Sequence, residues 1–366
     1  MKTLGKLIVL LLILAAAVGA YLWISIERPY RAFPAEGVFV DLPHGASSRA
    51  VSRLLAQSGV VRSAIAFEIY ARRHPKRRLQ AGEYFFGQPI SAHDVFWQIA
   101  DGHIYEQPFT VREGETMFDI ARDLETGKFM SASDFLIAAK NPELIHDLAP
   151  DAKTLEGFLY PATYNLPRRP VGNELTAEMV KKFKEEWSRI RSTAQIAPAS
   201  GLTEHLVTLA SLVERETPKP EERPLVAGIF ENRLGKNMRL QCDPTVIYAM
   251  EQIGQYKGTL TGTDLQIDSP YNTYQHSGLP PGPVGNPGEE SLRAAVTPAK
   301  TSFLYFVANT QGGHFFAATL QEHNRNVTKY RQLLKNPAAA QAPAPMEPLP
   351  PIAKNSPRQQ HRGATP

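Results

Sequence analysis

Leu206-Val207-Thr208-Leu209-Ala210-Ser211-Leu212-Val213-Glu214-Arg215-Glu216-Thr217 opens as an apolar helix and ends in two carboxylates. Leu206, Leu209, Ala210 and Val213 recur at the i, i+3, i+4, i+7 spacing of one helix face. Pro218 and Pro220 follow, so the helix stops near Thr217. A carboxylate at the end of a buried helix is costly to desolvate, which raises its pKa. A carboxylic acid that keeps its proton near neutral pH can deliver it to a leaving oxygen. Glu214 and Glu216 are two positions apart and so lie about 160° apart around the helix. Only one of them can face a cleft on one side, and the helical wheel does not choose between them. A solvated pair at a helix end, matched with Arg215 or Arg223, satisfies the same spacing.

The chain has 366 residues, enough for two or three domains, and its hydrophobic content of 43% suits a large core. A net charge of +4, with no basic stripe studded by aromatics, does not point to nucleic acid. The single cysteine, Cys242, excludes an intramolecular disulfide and a cysteine-cluster metal site. The ten histidines show no ligand spacing, so the sequence calls for no metal. Lys2 and Lys6 precede Leu7 to Ile26, twenty residues without a charge, which is enough to span a bilayer. Tyr21 and Trp23 stand where an interfacial aromatic belt would lie. A cleaved signal peptide is the rival, because Ala15 to Ala20 is rich in small residues. The apolar run continues past that patch, so we read an uncleaved anchor with the body of the protein outside the cytoplasm.

Beyond the anchor, Gly37 to Leu42 alternates as a strand, and Ser47 or Ser48 can cap a helix that runs to Gln57. A helix over Ser63–Arg73 leads into the basic cluster 72–78, which suits anionic headgroups, anionic wall polymer or plain solvent. Gly82 to Phe86 reads as a strand and Ala92 to Ala100 as a helix. Phe109 to Ala121 is strand, glycine turn and helix, and residues 131–150 look helical. Thr176 to Arg191 and Glu222 to Leu234 are further helices. Gln241, Asp243, Thr245 and Tyr248 gather polar groups in a short stretch, and Tyr271-Asn272-Thr273-Tyr274 adds aromatics and amides. Sugars suit such mixtures, because their apolar faces stack while their hydroxyls bond; a purely structural loop would look the same. Thr301 to Val307 reads as a buried strand, His314 to Phe316 as its hairpin partner, and Asn324 to Leu334 as a last helix. Residues 337–366 are rich in Pro, Ala and Gln and lack the apolar content to fold.

Several of these stretches resemble known families. Phe109 to Ala121 resembles the opening of a LysM module, a small fold that binds N-acetylglucosamine polymers, though a generic strand-turn-helix fits equally. Ala210 to Thr217, Asn232-Arg233-Leu234, Met238 to Tyr248, Tyr271 to Tyr274, Gly278-Leu279-Pro280-Pro281-Gly282 and Tyr305 to Ala308, with Leu155-Glu156-Gly157, Pro161 and Tyr164, resemble the endolytic murein transglycosylases of the YceG-like family. The likeness runs in order from the anchor to about Leu334 and departs at Cys242, where the motif commonly has threonine. It implies an α+β chain with an N-terminal transmembrane helix, a small LysM-like α/β module and a larger mixed α+β catalytic domain. The corresponding segments are 1–30 (cytoplasmic N-terminus and anchor), 31–150 and 151–336; the tail 337–366 is not part of the likeness.

The resemblance further implies a single-pass inner-membrane lyase that cuts within peptidoglycan glycan strands, with Glu216 as its essential acid. Glu214 is expected to tune that acid, and Gln241, Asp243, Tyr248, Tyr271, Asn272 and Tyr274 to hold the glycan. No cofactor is called for. The expected partners are glycan strands and the membrane, with peptidoglycan synthases as candidate protein partners. Three rivals stand beside this reading: a muramidase at the same bond, a non-catalytic wall-binding scaffold, and a membrane-tethered assembly protein.

Overall fold

The computed structural model describes residues 2–195 and 201–335, so the tail 337–366 lies outside the described residues. The chain forms two compact units, residues 1–108 with 165–168, and residues 109–164 with those from 169 onward. The boundary expected near residue 150 is not where the chain divides. The strand-turn-helix that begins at Phe109 belongs to the second unit, tied in by the Gly114 amide, which donates to Asn286 O at 2.8 Å.

The first unit begins with helix α1 (Lys2–Glu27), whose stretch from Leu4 is long and apolar enough to cross a membrane. At 1.5 Å per residue the helix is about 39 Å long, and its leucines, isoleucines and valines from Leu4 to Val18 are exposed. Strand β1 (Val38–Leu42) pairs antiparallel with β2 (Gly82–Phe86), and helices α2 (Ser48–Gln57), α3 (Ala64–Arg73) and α4 (Ala92–Ala100) pack with them. Ser47 caps α2 by accepting from the Ala50 amide, which satisfies one orphan donor of the first turn. Val40, Leu42, Leu55, Phe67, Tyr84, Phe86 and Phe96 form the core.

Strands β3 (Gln107–Thr110) and β4 (Thr163–Leu166) pair and contribute residues to both units. The second unit is mainly helical: α5 (Met117–Thr126), α6 (Ala132–Ala139), α7 (Gly172–Ala194), α8 (Leu202–Glu216), α9 (Arg223–Gly235), α10 (Asp243–Gln252) and α11 (Glu289–Val296). The hairpin β5 (Tyr305–Ala308) and β6 (His314–Ala317) and helix α12 (Leu320–Lys335) follow. The helix expected over 131–150 ends early, because Asn141 and Pro142 turn the chain into a short 3-10 segment over Pro142–Ile145. The strand expected to be buried over Thr301–Val307 is shorter and half-buried, since β5 pairs only with β6.

Helix α8 is the axis of this unit. The sequence shows one apolar stripe, but every residue from Leu206 to Val213 is buried, so α9, α10 and α11 enclose it. Ser211 Oγ donates to Thr208 O at 2.7 Å and accepts from the Val284 amide at 3.0 Å, so its hydroxyl is satisfied in the core. Gly157, at φ +86°, lets the backbone approach Val207; a Cβ there would stand 2.9 Å from the valine methyl. Thr217 turns to an extended conformation before Pro218 and ends the helix where the sequence predicts.

Candidate active site

The structure separates the two carboxylates that the helical wheel could not. Glu214 is locked. Its Oε1 lies 2.7 Å from Arg223 Nη2, and the two side chains are only 4% and 6% exposed. Its Oε2 accepts from the Gly288 amide at 2.9 Å, at the start of α11. Burial pushes the Glu214 carboxyl upward, against the Gly288 amide and the Arg223 charge. This residue fastens the end of α8 to the beginnings of α9 and α11.

Among the described residues Glu216 has no such ion pair. Among the described residues its hydrogen-bond partner is the Cys242 thiol, 2.8 Å from Oε1. The residue is half-buried, and desolvation raises its pKa. The Cys242 bond lowers it, Asp243 raises it again, and the fields of His314 and Arg233 lower it. The thiol itself is pushed far up by burial and by the neighbouring carboxyl, so it acts as a neutral donor. A desolvated carboxyl held by one weak donor is suited to carry a proton and to release it.

The start of α10 forms the floor beside Glu216. Gln241 is exposed and left-handed at φ +51°, with its amide donating to Thr273 O at 3.2 Å. The Cys242 amide donates to Thr273 Oγ1 at 3.0 Å, and Thr245 Oγ1 bonds the same threonine at 2.9 Å. Asp243, the first residue of α10, is exposed and accepts from the Tyr274 hydroxyl. Thus Asp243 and Tyr274 stand beside Cys242 and near Glu216, with Gln241 immediately before the cysteine in the chain.

Three of the other predicted sugar contacts stand elsewhere. Tyr248 is buried within the unit, its ring 5.0 Å from that of Tyr271 and its hydroxyl turned to Glu156. Asn272 is fully buried: its Nδ2 donates to Leu265 O and Ile267 O, and its Oδ1 accepts from the Tyr274 amide. Both residues therefore shape the loop and the helix rather than reach a ligand. Tyr271, in the loop after α10, is half-buried beside Gln252 at the end of that helix, with burial pushing its hydroxyl up to about 12.

Asn232 and Arg233, quoted in the sequence for the family likeness but given no role in the site, complete the surroundings. Arg233 is buried at the end of α9; its Nε donates to Leu304 O at 2.6 Å and its Nη1 to Leu240 O at 2.7 Å. Asn232 donates to Thr301 O and Phe303 O. The Asn232-Arg233 pair thus ties α9 to the segment leading into β5 and to the loop before α10. Among the described residues, no three His, Cys, Asp or Glu side chains are grouped to hold a metal ion.

The chain as a whole is similar to known proteins. A model of the YceG-like family matches residues 40–329. The endolytic murein transglycosylase of Bacillus subtilis (strain 168) is 33% identical over 329 residues, covering 85% of this chain and 90% of that protein. The protein of the same name from Streptococcus pneumoniae D39 is 32% identical over 323 residues; that match covers 80% of this chain but 58% of the pneumococcal protein. A crystal structure described as a yceG-like protein from Listeria monocytogenes superimposes with a TM-score of 0.52 at 31% identity, over 80% of this chain and 99% of that one.

Proposed function

The chain belongs to the YceG-like family, and on that premise we propose that it is a peptidoglycan lytic transglycosylase whose acid is Glu216. The observation that carries the assignment is the contrast at the end of α8. Burial raises both carboxyls, but Glu214 is ion-paired with Arg223 and bonded by the Gly288 amide, whereas Glu216 meets only a neutral thiol among the described residues.

The substrate is the β-1,4 bond between N-acetylmuramic acid and N-acetylglucosamine within a glycan strand. Protonated Glu216 donates to the bridging oxygen, and the bond from that oxygen to the anomeric carbon breaks. The 2-acetamido group steadies the positive charge that develops there. Glu216, now ionised, takes the proton of the muramic 6-hydroxyl as that oxygen closes on the anomeric carbon. The product is a 1,6-anhydro end, no water is consumed, and the acid is restored. One carboxylate suffices because the substrate brings its own nucleophile, unlike the paired carboxylates of most glycosidases. Gln241, Asp243 and Tyr274 border the acid and hold the glycan.

Helix α1 serves as a single-pass anchor in the inner membrane, with the chain that follows it outside the cytoplasm. A signal sequence would have the same length and composition, and N-terminal sequencing of the mature chain separates the two. A LysM-like contribution within residues 31–150 supplies glycan affinity, and a cut made next to the membrane ends the growth of a nascent strand. Peptidoglycan synthases are the corresponding protein partners. The deciding experiment digests isolated sacculi with the full chain in detergent and examines the fragments by mass spectrometry. Internal fragments with 1,6-anhydro ends are expected. Free reducing ends would make the protein a muramidase, and binding without fragments would make it a wall-binding scaffold.

A further inference from the structure

The basic cluster 72–78 takes no part in the chemistry above, and it stands close to where the chain leaves α1. Along α1 every residue from Leu4 to Tyr21 is exposed, whereas Leu22 and Ile26 are half-buried and Ser25 is buried. The last turns of α1 are therefore where it packs against α3 and α4. Three residues beyond α1 the Tyr30 amide donates to Ile90 O at 3.0 Å, and the Ile90 amide donates to Tyr30 O at 3.3 Å. Ile90 immediately precedes Ser91, the cap of α4, so α4 starts beside the exit of α1. The first two turns of α4 carry His93 and Trp97. The ring of Tyr70 lies 5.8 Å from that of His93, the ring of His74 lies 5.7 Å from that of Trp97, and the Arg77 guanidinium stands 5.2 Å from the same indole. The basic segment is thus laid along the start of α4, about 10 Å of helix from the Tyr30–Ile90 bridge.

Arg72, Arg73, Lys76, Arg77 and Arg78 are all exposed. Glu68 takes Arg72 at 2.7 Å and Asp101 takes Arg77 at 3.4 Å, yet the two arginine side chains stay 72% and 53% exposed, so both pairs are open to exchange. Asp94, on α4, is held by Ser91 and His93. Among the described residues Arg73, Lys76 and Arg78 have no ion pair.

We infer that the segment 72–78 is a second membrane contact, which binds the phosphate headgroups of anionic phospholipids around the anchor. The inference rests on α1 being an anchor. The bilayer edge then lies near Tyr21 and Trp23, where the exposed run of α1 ends, and α3 and α4 meet α1 from Leu22 onward. A basic group gains from an anionic surface only within about one Debye length, about 8–10 Å, so a cluster beside the exit of the anchor is placed to use that surface. An anionic polymer would match the charge but gives no reason for this placement. A single helix also leaves the body free to swivel about its axis. A second contact fixes one face of the first unit on the membrane.

The test places the full chain in nanodiscs of phosphatidylcholine, alone or mixed with phosphatidylglycerol, and follows amide hydrogen exchange. Exchange across residues 72–78 is expected to slow by about fivefold or more with phosphatidylglycerol, the weight of one basic residue near such a surface. The difference should vanish at about 1 M salt, where the Debye length falls to about 3 Å. Arg73→Gln, Lys76→Gln and Arg78→Gln together break no ion pair; they should erase the lipid dependence and leave melting temperature and turnover unchanged. Equal exchange in the two discs, with α1 protected in both, makes the cluster a solvated loop and overturns the inference. Slowing by soluble polyphosphate but not by the lipid assigns it to a polymer and overturns the inference equally. Free exchange along α1 in both discs defeats the anchor reading instead, and the same lipids added to the full chain in detergent then read the contact at 72–78 by itself.

Discussion

The two flanks of the last turn of α8 carry the same functional group in opposite settings. On one flank Glu214 is buried, but Arg223 and the Gly288 amide satisfy both its oxygens. On the other, Glu216 has the thiol of Cys242 at one oxygen. Burial raises both acids, so burial alone does not make a catalyst. What differs is the partner. A cation fixes an acid in its charged form, whereas a neutral thiol leaves both forms accessible. Moving proton chemistry from one flank to the other would mean moving Arg223, not the carboxylates.

The largest expected effect tests that contrast directly. Glu216→Gln keeps the size of the side chain and removes its transferable proton. Turnover should fall by about 10²–10⁴-fold, the range of general acid–base catalysis, while glycan binding survives. Counting anhydro-ended fragments at equal folded concentration checks it. A near-normal rate would end the assignment of Glu216.

Glu156 asks whether burial without access has any catalytic consequence. It accepts from the Met117 amide at 2.9 Å and from Asn286 Nδ2 at 2.9 Å, and burial pushes it up to about 8. Because the folded value lies above the unfolded one, the unfolded chain loses this proton first as pH rises. The stabilising contribution is therefore complete below about pH 4.5 and is lost as pH rises to about 8, up to about 5 kcal/mol by linkage. Glu156→Gln should flatten the dependence of melting temperature on pH across that window and leave turnover intact. A dead but folded variant would mean that a second carboxyl takes part.

Glu214→Gln is the third test. It leaves Arg223 buried without its counter-charge, which costs about 3–5 kcal/mol when one partner of a buried pair is removed. The loss should appear in thermal melts rather than in the rate per folded molecule. A large drop in rate at unchanged stability would restore Glu214 to the chemistry.

Much of this was legible from local sequence. Pro218 announces the end of α8, Ser47 the start of α2, and the uncharged run after Lys6 the apolar helix α1. These signals act within a few residues, through sterics, capping and burial. The choice between Glu214 and Glu216 was not legible, because it depends on Arg223 and Gly288, brought in by α9 and α11. Tyr248 was misread for a related reason. It lies five residues after Asp243, about 140° around α10, so the polar groups of that stretch point to different sides. Asn272 looked available for sugar, but carbonyls of its own loop use its amide.

The smallest effect comes from Asp243, and its sign is the informative part. Its charge pushes the Glu216 carboxyl upward, opposite to the pull of His314. Asp243→Asn keeps the acceptor for the Tyr274 hydroxyl and the place at the first turn of α10 but removes the charge. The Glu216 carboxyl should then release its proton at lower pH, so the alkaline limb of the activity profile moves down. Asp243 is exposed, so solvent screens it, and the shift should stay below about one unit. Raising the ionic strength of the wild type should reproduce part of that shift, because salt weakens an exposed charge more than an enclosed one. Measured in low and high salt, kcat/KM against pH gives the comparison. A downward, salt-sensitive limb shows that Glu216 is tuned by the exposed Asp243 as well as by its buried neighbours. An upward limb, or one indifferent to both the substitution and salt, would mean that the acid controlling the reaction is not the one beside Asp243.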